Sequence, residues 1–384
     1  MFNNHNTRLY VDFHVIQTVP PSCVNRDDAN RAKTAMYGGV TRARVSSQSW
    51  KHAIRKMFKS IFDEDKLGFR TMPKYAAEII ANKLISSGLA PEDAQKRATK
   101  ALNSVITKAK DTDKNKKNKS DDDVSEQNES DNTNEKQTNK KEALLFISTL
   151  QLEKFAELIL NGVDPAKDKK QYKDALQKSP SIDIALFGRM VAADAELNVD
   201  AACQVAHSIS THAVQTEYDF FTADDDCSPV DSAAAGHLGT LEFNSSTLYR
   251  YATVNVMDLS GLIGKNDIPA AIAGFAEAFI RSMPTGKQNS YANRTLPDLI
   301  YITIREDQPV NFSGAFEKPI KGNDGFVKQS EKALFDYAEK IYKDYCGSPK
   351  YSFVVGYDEI LGAEKKDING LLESLSEIVA KEVQ

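Results

Sequence analysis

Asp219 and the run Asp224-Asp225-Asp226 are the carboxylates that could gather a magnesium ion for phosphodiester cleavage, since clustered acids hold the metal that activates a water. An acidic run in a polar loop is more commonly a solvated one. His207 and His212 stand five apart, off a single helical face, with no C-x-x-C or H-E-x-x-H beside them. They read as hydrogen-bonding histidines rather than metal ligands. There is no G-x-S-x-G and no cysteine bracketed by an obvious base. Gly38-Gly39, Gly236 and Gly239 make neither a Walker sequence nor a dinucleotide fingerprint. The expectation is a non-enzymatic protein with no catalytic residues, no metal and no cofactor.

Polyanion binding is the chemistry for which the sequence is equipped. Residues 25–59 hold nine Lys or Arg against two acids, an excess of seven positive charges in a chain of net charge −5. Such a segment in an acidic protein points to a polyanionic partner confined to a groove. Within it, Val40-Thr-Arg-Ala-Arg-Val45 alternates, which predicts a short strand with Arg42 and Arg44 on one side. Gly38-Gly39 supplies a tight turn before it. Ser46 and Ser47 are N-cap candidates for a helix. In that helix Trp50, Ile54, Met57, Phe58 and Ile61 form an apolar stripe, with Lys51, Arg55 and Lys59 on a separate basic one. Lys287, in a polar loop between a helix and a strand, is a further phosphate candidate. Tyr218, Phe220, Phe221 and Leu238 place apolar groups on a poorly patterned stretch, where they are either a protein interface or wedges between stacked bases.

The elements that must position these residues follow from periodicity. Residues 8–19 alternate as a strand. Residues 74–109, 142–161 and 165–177 read as helical. Residues 111–141 are low-complexity and are expected to be disordered, because they bury too little to repay ordering. Residues 181–190 read as a strand or turn. Strands at 248–259, 298–305 and 351–357 alternate with helices at 267–283, 327–345 and 367–383. This order fits an α+β sandwich with helices on one face of an antiparallel sheet, of ferredoxin-like or RNA-recognition-motif type. The scattered cysteines Cys23, Cys203, Cys227 and Cys346 read as reduced thiols. No apolar run reaches a membrane-spanning length and the first residues do not read as a signal peptide, so a cytoplasmic location and no membrane partner are expected.

Several stretches, in order, carry a resemblance: S-C-V-N-R-D-D-A-N, G-G-V-T-R-A-R-V-S-S-Q-S-W-K, D-I-A-L-F-G-R-M, A-H-S-I-S-T-H, D-F-F-T-A-D-D-D and G-H-L-G-T-L-E-F-N-S-S-T-L-Y-R-Y-A. The chain resembles the CasC family, the CRISPR-RNA-binding backbone subunit of the type I-E Cascade complex. The resemblance covers about residues 9–64 and 181–305, and the region 65–180 carries none of these motifs. It implies a modified RNA-recognition palm (1–64, 181–213 and 248–384), a helical fingers insertion (65–180) and a β-hairpin thumb (214–247). It implies as partners a crRNA, target DNA through guide pairing, further copies of the chain in a filament, and other Cascade subunits. Carried over, Lys33, Ser46, Gln48, Lys51 and Arg55 line the palm groove, with Arg26 in the same motif, and Arg42 and Arg44 add the strand's charge. Arg189 and Met190 meet the RNA from the fingers, and Lys287 adds a phosphate contact. Phe221, Thr222 and Leu238 are the thumb positions that press the RNA. The family carries a larger aromatic where this sequence has Phe220, which leaves Phe220 and Phe221 both open as the wedge. The alternative is an RNA-cleaving backbone subunit of a type III complex, using a thumb Asp with Mg²⁺.

Overall fold

The computed structural model describes residues 8–106, 144–178, 180–191, 194–223 and 237–384. The low-complexity stretch 111–141 and the acids at 224–226 lie outside them. In chain order the strands are β1 (Tyr10–Ser22), β2 (Thr34–Tyr37), β3 (Val40–Val45), β4 (Gly68–Thr71), β5 (Leu145–Ser148), β6 (Cys203–Val205), β7 (Ser208–Ser210), β8 (Glu217–Ala223), β9 (His237–Asn255), β10 (Leu299–Arg305), β11 (Tyr351–Val355) and β12 (Glu364–Lys365). The helices are α1 (Ser47–Phe58), α2 (Pro73–Ser86), α3 (Pro91–Ile106), α4 (Thr149–Leu160), α5 (Lys169–Gln177), α6 (Ile182–Phe187), α7 (Val256–Leu262), α8 (Ile268–Arg281), α9 (Gln288–Tyr291), α10 (Val327–Ile341) and α11 (Ile368–Glu382).

The chain divides into two compact units, a larger one of Met1–Leu67, Ser181–Gly188 and Asp200–Gln384, and a smaller one of Gly68–Pro180 and Arg189–Val199. The larger unit holds one sheet in the order β12-β11-β10-β1-β9-β7-β3-β2, with β6 and β8 also paired to β9. Its ladders are antiparallel except β11–β12. The α+β expectation holds. Val11, Phe13 and Val15 of β1, with Ile300, Ile302 and Ile304 of β10, bury against α1, α8 and α11. Each such side chain contributes about 1.5–3 kcal/mol.

The expectation of helices on one face only is corrected. The alternate residues of β1 and β10, with those of the neighbouring β9 (Asp12, His14, Ile16, Tyr249, Tyr251 and Tyr301), are also buried, beneath α10 and the turn 312–316. This second core is apolar but carries polar groups, several of them with partners. His14 stacks on Phe312 at 4.3 Å and meets the Tyr249 hydroxyl at 2.9 Å. The Asp12 carboxylate accepts from the Tyr251 hydroxyl at 3.0 Å and from the Val310 N–H at 2.9 Å.

Other boundaries also move. Residues 145–148 form β5, paired with β4, and α4 starts only at Thr149, where Ser148 and Gln151 make a capping box. The stretch read as a strand or turn at 181–190 is the helix α6 followed by a Gly188 turn. β9 ends at Asn255, whose side chain accepts from the N–H groups of Met257 and Asp258 and starts α7. The smaller unit packs Ile80, Leu84, Leu102, Phe155, Tyr172 and Leu176 together. It begins at Gly68 and also takes Arg189–Val199, a stretch assigned to the palm from sequence.

Candidate nucleic-acid interface

Local sequence builds the basic wall in the way its periodicity predicts. Gly38 and Gly39 sit at φ +59° and +77°, closing the β2–β3 hairpin. A Cβ at Gly38 would lie 1.7 Å from the Glu317 carbonyl oxygen, so only glycine fits there. The Ser46 hydroxyl accepts from the Ser49 N–H at 3.3 Å and caps α1. Trp50, Ala53, Ile54 and Phe58 bury the apolar stripe. Asn25 ties the preceding loop to this start, its carbonyl accepting from Lys33 N–H at 2.9 Å and its side chain from Ser46 N–H at 2.9 Å.

Around this frame the cations gather in two places. Lys33 and Arg44 share a depression of about 420 Å³ with Tyr218 and Glu242 at the foot of the β8–β9 hairpin. They also hold the neighbouring His207 imidazole below its ordinary pKa, an effect second to burial. Ser47 N–H donates to His207 Nδ1 at 3.2 Å. Arg26 and Lys287 both act electrostatically on the Cys23 thiol, whose pKa burial raises. Lys287 is held at φ +50°, a left-handed conformation that places it at the head of α9. Gln48 is exposed on the crest of α1. Lys51 stands beside it, its Nζ 5.7 Å from the centre of the Phe187 ring.

Two expected contacts are corrected, and a third cation has a second role. Arg42 shares a strand face with Arg44 but is fully buried, and donates to the carbonyls of Tyr37, Ser210, Phe316 and Glu317. Desolvation lowers its pKa, and no face is left for a phosphate. Arg189 is likewise buried, donating to the carbonyls of Leu197, Leu176 and Phe146 inside the smaller unit. Burial pushes its pKa down to about 10. Arg55 pairs with the buried Asp183 of α6 at 3.3 Å and is a structural as well as a surface cation. Met190, next to Arg189, is 84 % exposed. His212 is held by hydrogen bonds, its Nε2 accepting from the Thr247 N–H at 3.1 Å and its Nδ1 facing the Ala213 carbonyl at 2.9 Å.

The hairpin of β8 and β9 is an extension of the sheet's longest strand, pairing Glu217 with Phe243 through Ala223 with His237. Strand alternation separates the two candidate wedges. Phe220 lies on the face of Tyr218, and both are about two-thirds exposed (67 % and 66 %). Phe221 lies on the opposite face with Asp219, and its ring covers Gly239, where a Cβ would sit 2.3 Å away. Thr222 is exposed and pairs with Leu238 in register, while the Leu238 side chain falls outside the described residues. Lys56 and Arg294 are exposed cations that the sequence reading passed over. Lys56 lies out of phase with the basic stripe, and only the chain's return through the 282–294 segment brings Arg294 near α1.

The model of the family described as CT1975-like protein matches residues 11–381. The chain belongs to the CT1975-like family. Membership agrees with the resemblance to a CRISPR backbone family that the motifs carry. The fold is similar to a chain of a "CRISPR RNA-guided surveillance complex, pre-nicking", at 29 % identity and a TM-score of 0.73, covering 95 % of this chain and 100 % of that one. A chain of a second "CRISPR RNA-guided surveillance complex" is similar at 26 % identity and a TM-score of 0.58, covering 95 % and 99 %. A comparison with curated proteins gave no match.

Proposed function

We propose that the protein is the crRNA-binding backbone subunit of a type I-E CRISPR surveillance complex. The observation that carries the reading is the exposed Tyr218–Phe220 hairpin rising beside the depression that holds Lys33 and Arg44, in a chain similar to one of a solved CRISPR RNA-guided surveillance complex. The cations hold the phosphate backbone and read no base edge, so one protein accepts any guide. The hairpin's rings unstack bases at intervals, and the remaining bases are presented for pairing with target DNA. Copies of the chain join head to tail along one RNA, and other subunits of the complex complete it. The role is non-enzymatic and cytoplasmic.

The test uses full-length protein freed of RNA in high salt and unrelated ribo-oligonucleotides of one length. Affinities should agree between sequences and fall with salt. Lys33→Ala and Lys51→Ala should each lower the log–log salt slope by about 0.7. Affinity that follows sequence but not salt overturns the reading. So do evenly spaced cuts in matched target RNA that need Mg²⁺ and are abolished by Asp219→Ala.

A further inference from the structure

The larger unit has a second concavity that phosphate contacts leave unexplained. Between α1, the loop 24–30 and the segment 282–294 lies a cleft of about 710 Å³. Met57 and Met283 give it an apolar lining, and the exposed cations Arg26, Lys56 and Arg294 stand on it. Its acids are Asp27, tied to Arg31 at 3.2 Å, and the exposed Asp28.

Ser282 and Asn293 also line the cleft, and they are only 4 % and 1 % exposed. The Ser282 Oγ and the Asn293 Nδ2 have no hydrogen-bond partner among the described residues. A buried polar atom without a partner is costly, and two on one cleft mark a place where a ligand supplies what the protein lacks. The wall that carries them is held under constraint. Lys287 and Ala292, at φ +50° and +47°, bracket α9, and a Cβ at Gly286 would lie 2.1 Å from the Val24 carbonyl oxygen. Strain of this kind persists where the surroundings demand that conformation.

We infer that the cleft is a nucleotide subsite. A flat base lies along the Met57 and Met283 side chains, its carbonyl or ring-nitrogen edge accepts from Asn293 and meets the Ser282 hydroxyl, and its phosphate takes the cations Arg26, Lys56 and Arg294. A bare phosphate would leave the apolar lining unused. The inference rests on the RNA-binding reading only for the source of the nucleotide, which is either an unstacked residue of the bound strand or a free nucleotide.

RNA-free full-length protein is titrated calorimetrically with the four nucleoside monophosphates, and with inorganic phosphate as a probe of charge alone. At least one nucleotide should bind tenfold or more tighter than phosphate, and Asn293→Leu should weaken it about tenfold. Ser282→Ala should also weaken it, while the unliganded variant melts no lower than wild type, because a hydroxyl without a partner has been removed. Weakened binding of an oligoribonucleotide by Asn293→Leu identifies a strand residue as the occupant. Weakened monophosphate binding alone identifies a free nucleotide. Lys51→Glu, outside the cleft, separates the two claims, since it should impair the oligoribonucleotide and spare the monophosphate. The subsite is overturned if phosphate binds as well as every nucleotide, or if both cleft variants leave all affinities unchanged.

Discussion

Replacing Arg189 with methionine tests whether its guanidinium is a structural tie or an RNA contact. In the smaller unit it joins three segments, donating to Leu176 O at 2.9 Å, to Leu197 O at 3.0 and 3.2 Å, and more weakly to Phe146 O at 3.3 Å. Three good charge-assisted bonds at about 2 kcal/mol each amount to roughly 6 kcal/mol. Burial works against them: a guanidinium whose pKa falls from 12.5 to about 10 has lost about 3 kcal/mol of solvation preference, which methionine recovers. The expected net loss is therefore about 3 kcal/mol, a large single-residue effect. Urea denaturation followed by circular dichroism should show the midpoint lowered by about 1–1.5 M, with a slope of 2–3 kcal/mol/M. A midpoint moved by less than 0.2 M, together with a tenfold loss of RNA affinity, would refute the reasoning and return Arg189 to the interface.

Arg55→Glu should destabilise the protein by about 2–4 kcal/mol, because it leaves the buried Asp183 facing a like charge, whereas Lys51→Glu should leave the melting temperature nearly unchanged. In the second core, burial raises Asp12 to about 6 and lowers His14 to about 3. Between pH 4 and 6 the native state keeps the Asp12 proton that the unfolded chain releases, which makes stability fall as pH rises. The unfolded chain meanwhile binds the His14 proton that the native state refuses, which makes stability rise. The two slopes cancel, so stability should be nearly flat from pH 4 to 6 for this pair and drop as pH falls from 4 to 3. In Asp12→Asn a rise of about 1.4 kcal/mol per pH unit should appear between pH 4 and 6, measurable by chemical denaturation. A profile parallel to wild type would contradict the opposition. Phe220→Ala should weaken RNA binding by about 1–3 kcal/mol with no change in melting temperature. Gly239→Val should act through Phe221, displacing its ring from the hairpin, and equal RNA binding by both variants and wild type would remove the hairpin from the interface.

Much of the basic wall was legible because its determinants are local. Ser46 as a cap and the Trp50, Ile54, Phe58 stripe follow from a period of 3.6 residues, and the Gly38-Gly39 turn from backbone sterics. Residues 145–148 were misread because four apolar residues fit a helix or a strand equally well, and the pairing that decides lies with residues 68–71. The division of labour on β3 was not legible at all. Arg42 and Arg44 share a face, and what distinguishes them is a pair of carbonyls at 316 and 317, far along the chain.

The sequence by itself determined that this is an α+β protein with one concentrated cationic segment and a stretch bearing aromatic residues, since charge, period and composition are properties of neighbours in the chain. Tertiary structure decided which cations are available. A guanidinium becomes a structural group when folding brings backbone carbonyls around it, as at Arg42 and Arg189, and stays a binding group when it does not. The same long-range folding left the Ser282 Oγ and the Asn293 Nδ2 on a cleft without hydrogen-bond partners among the described residues.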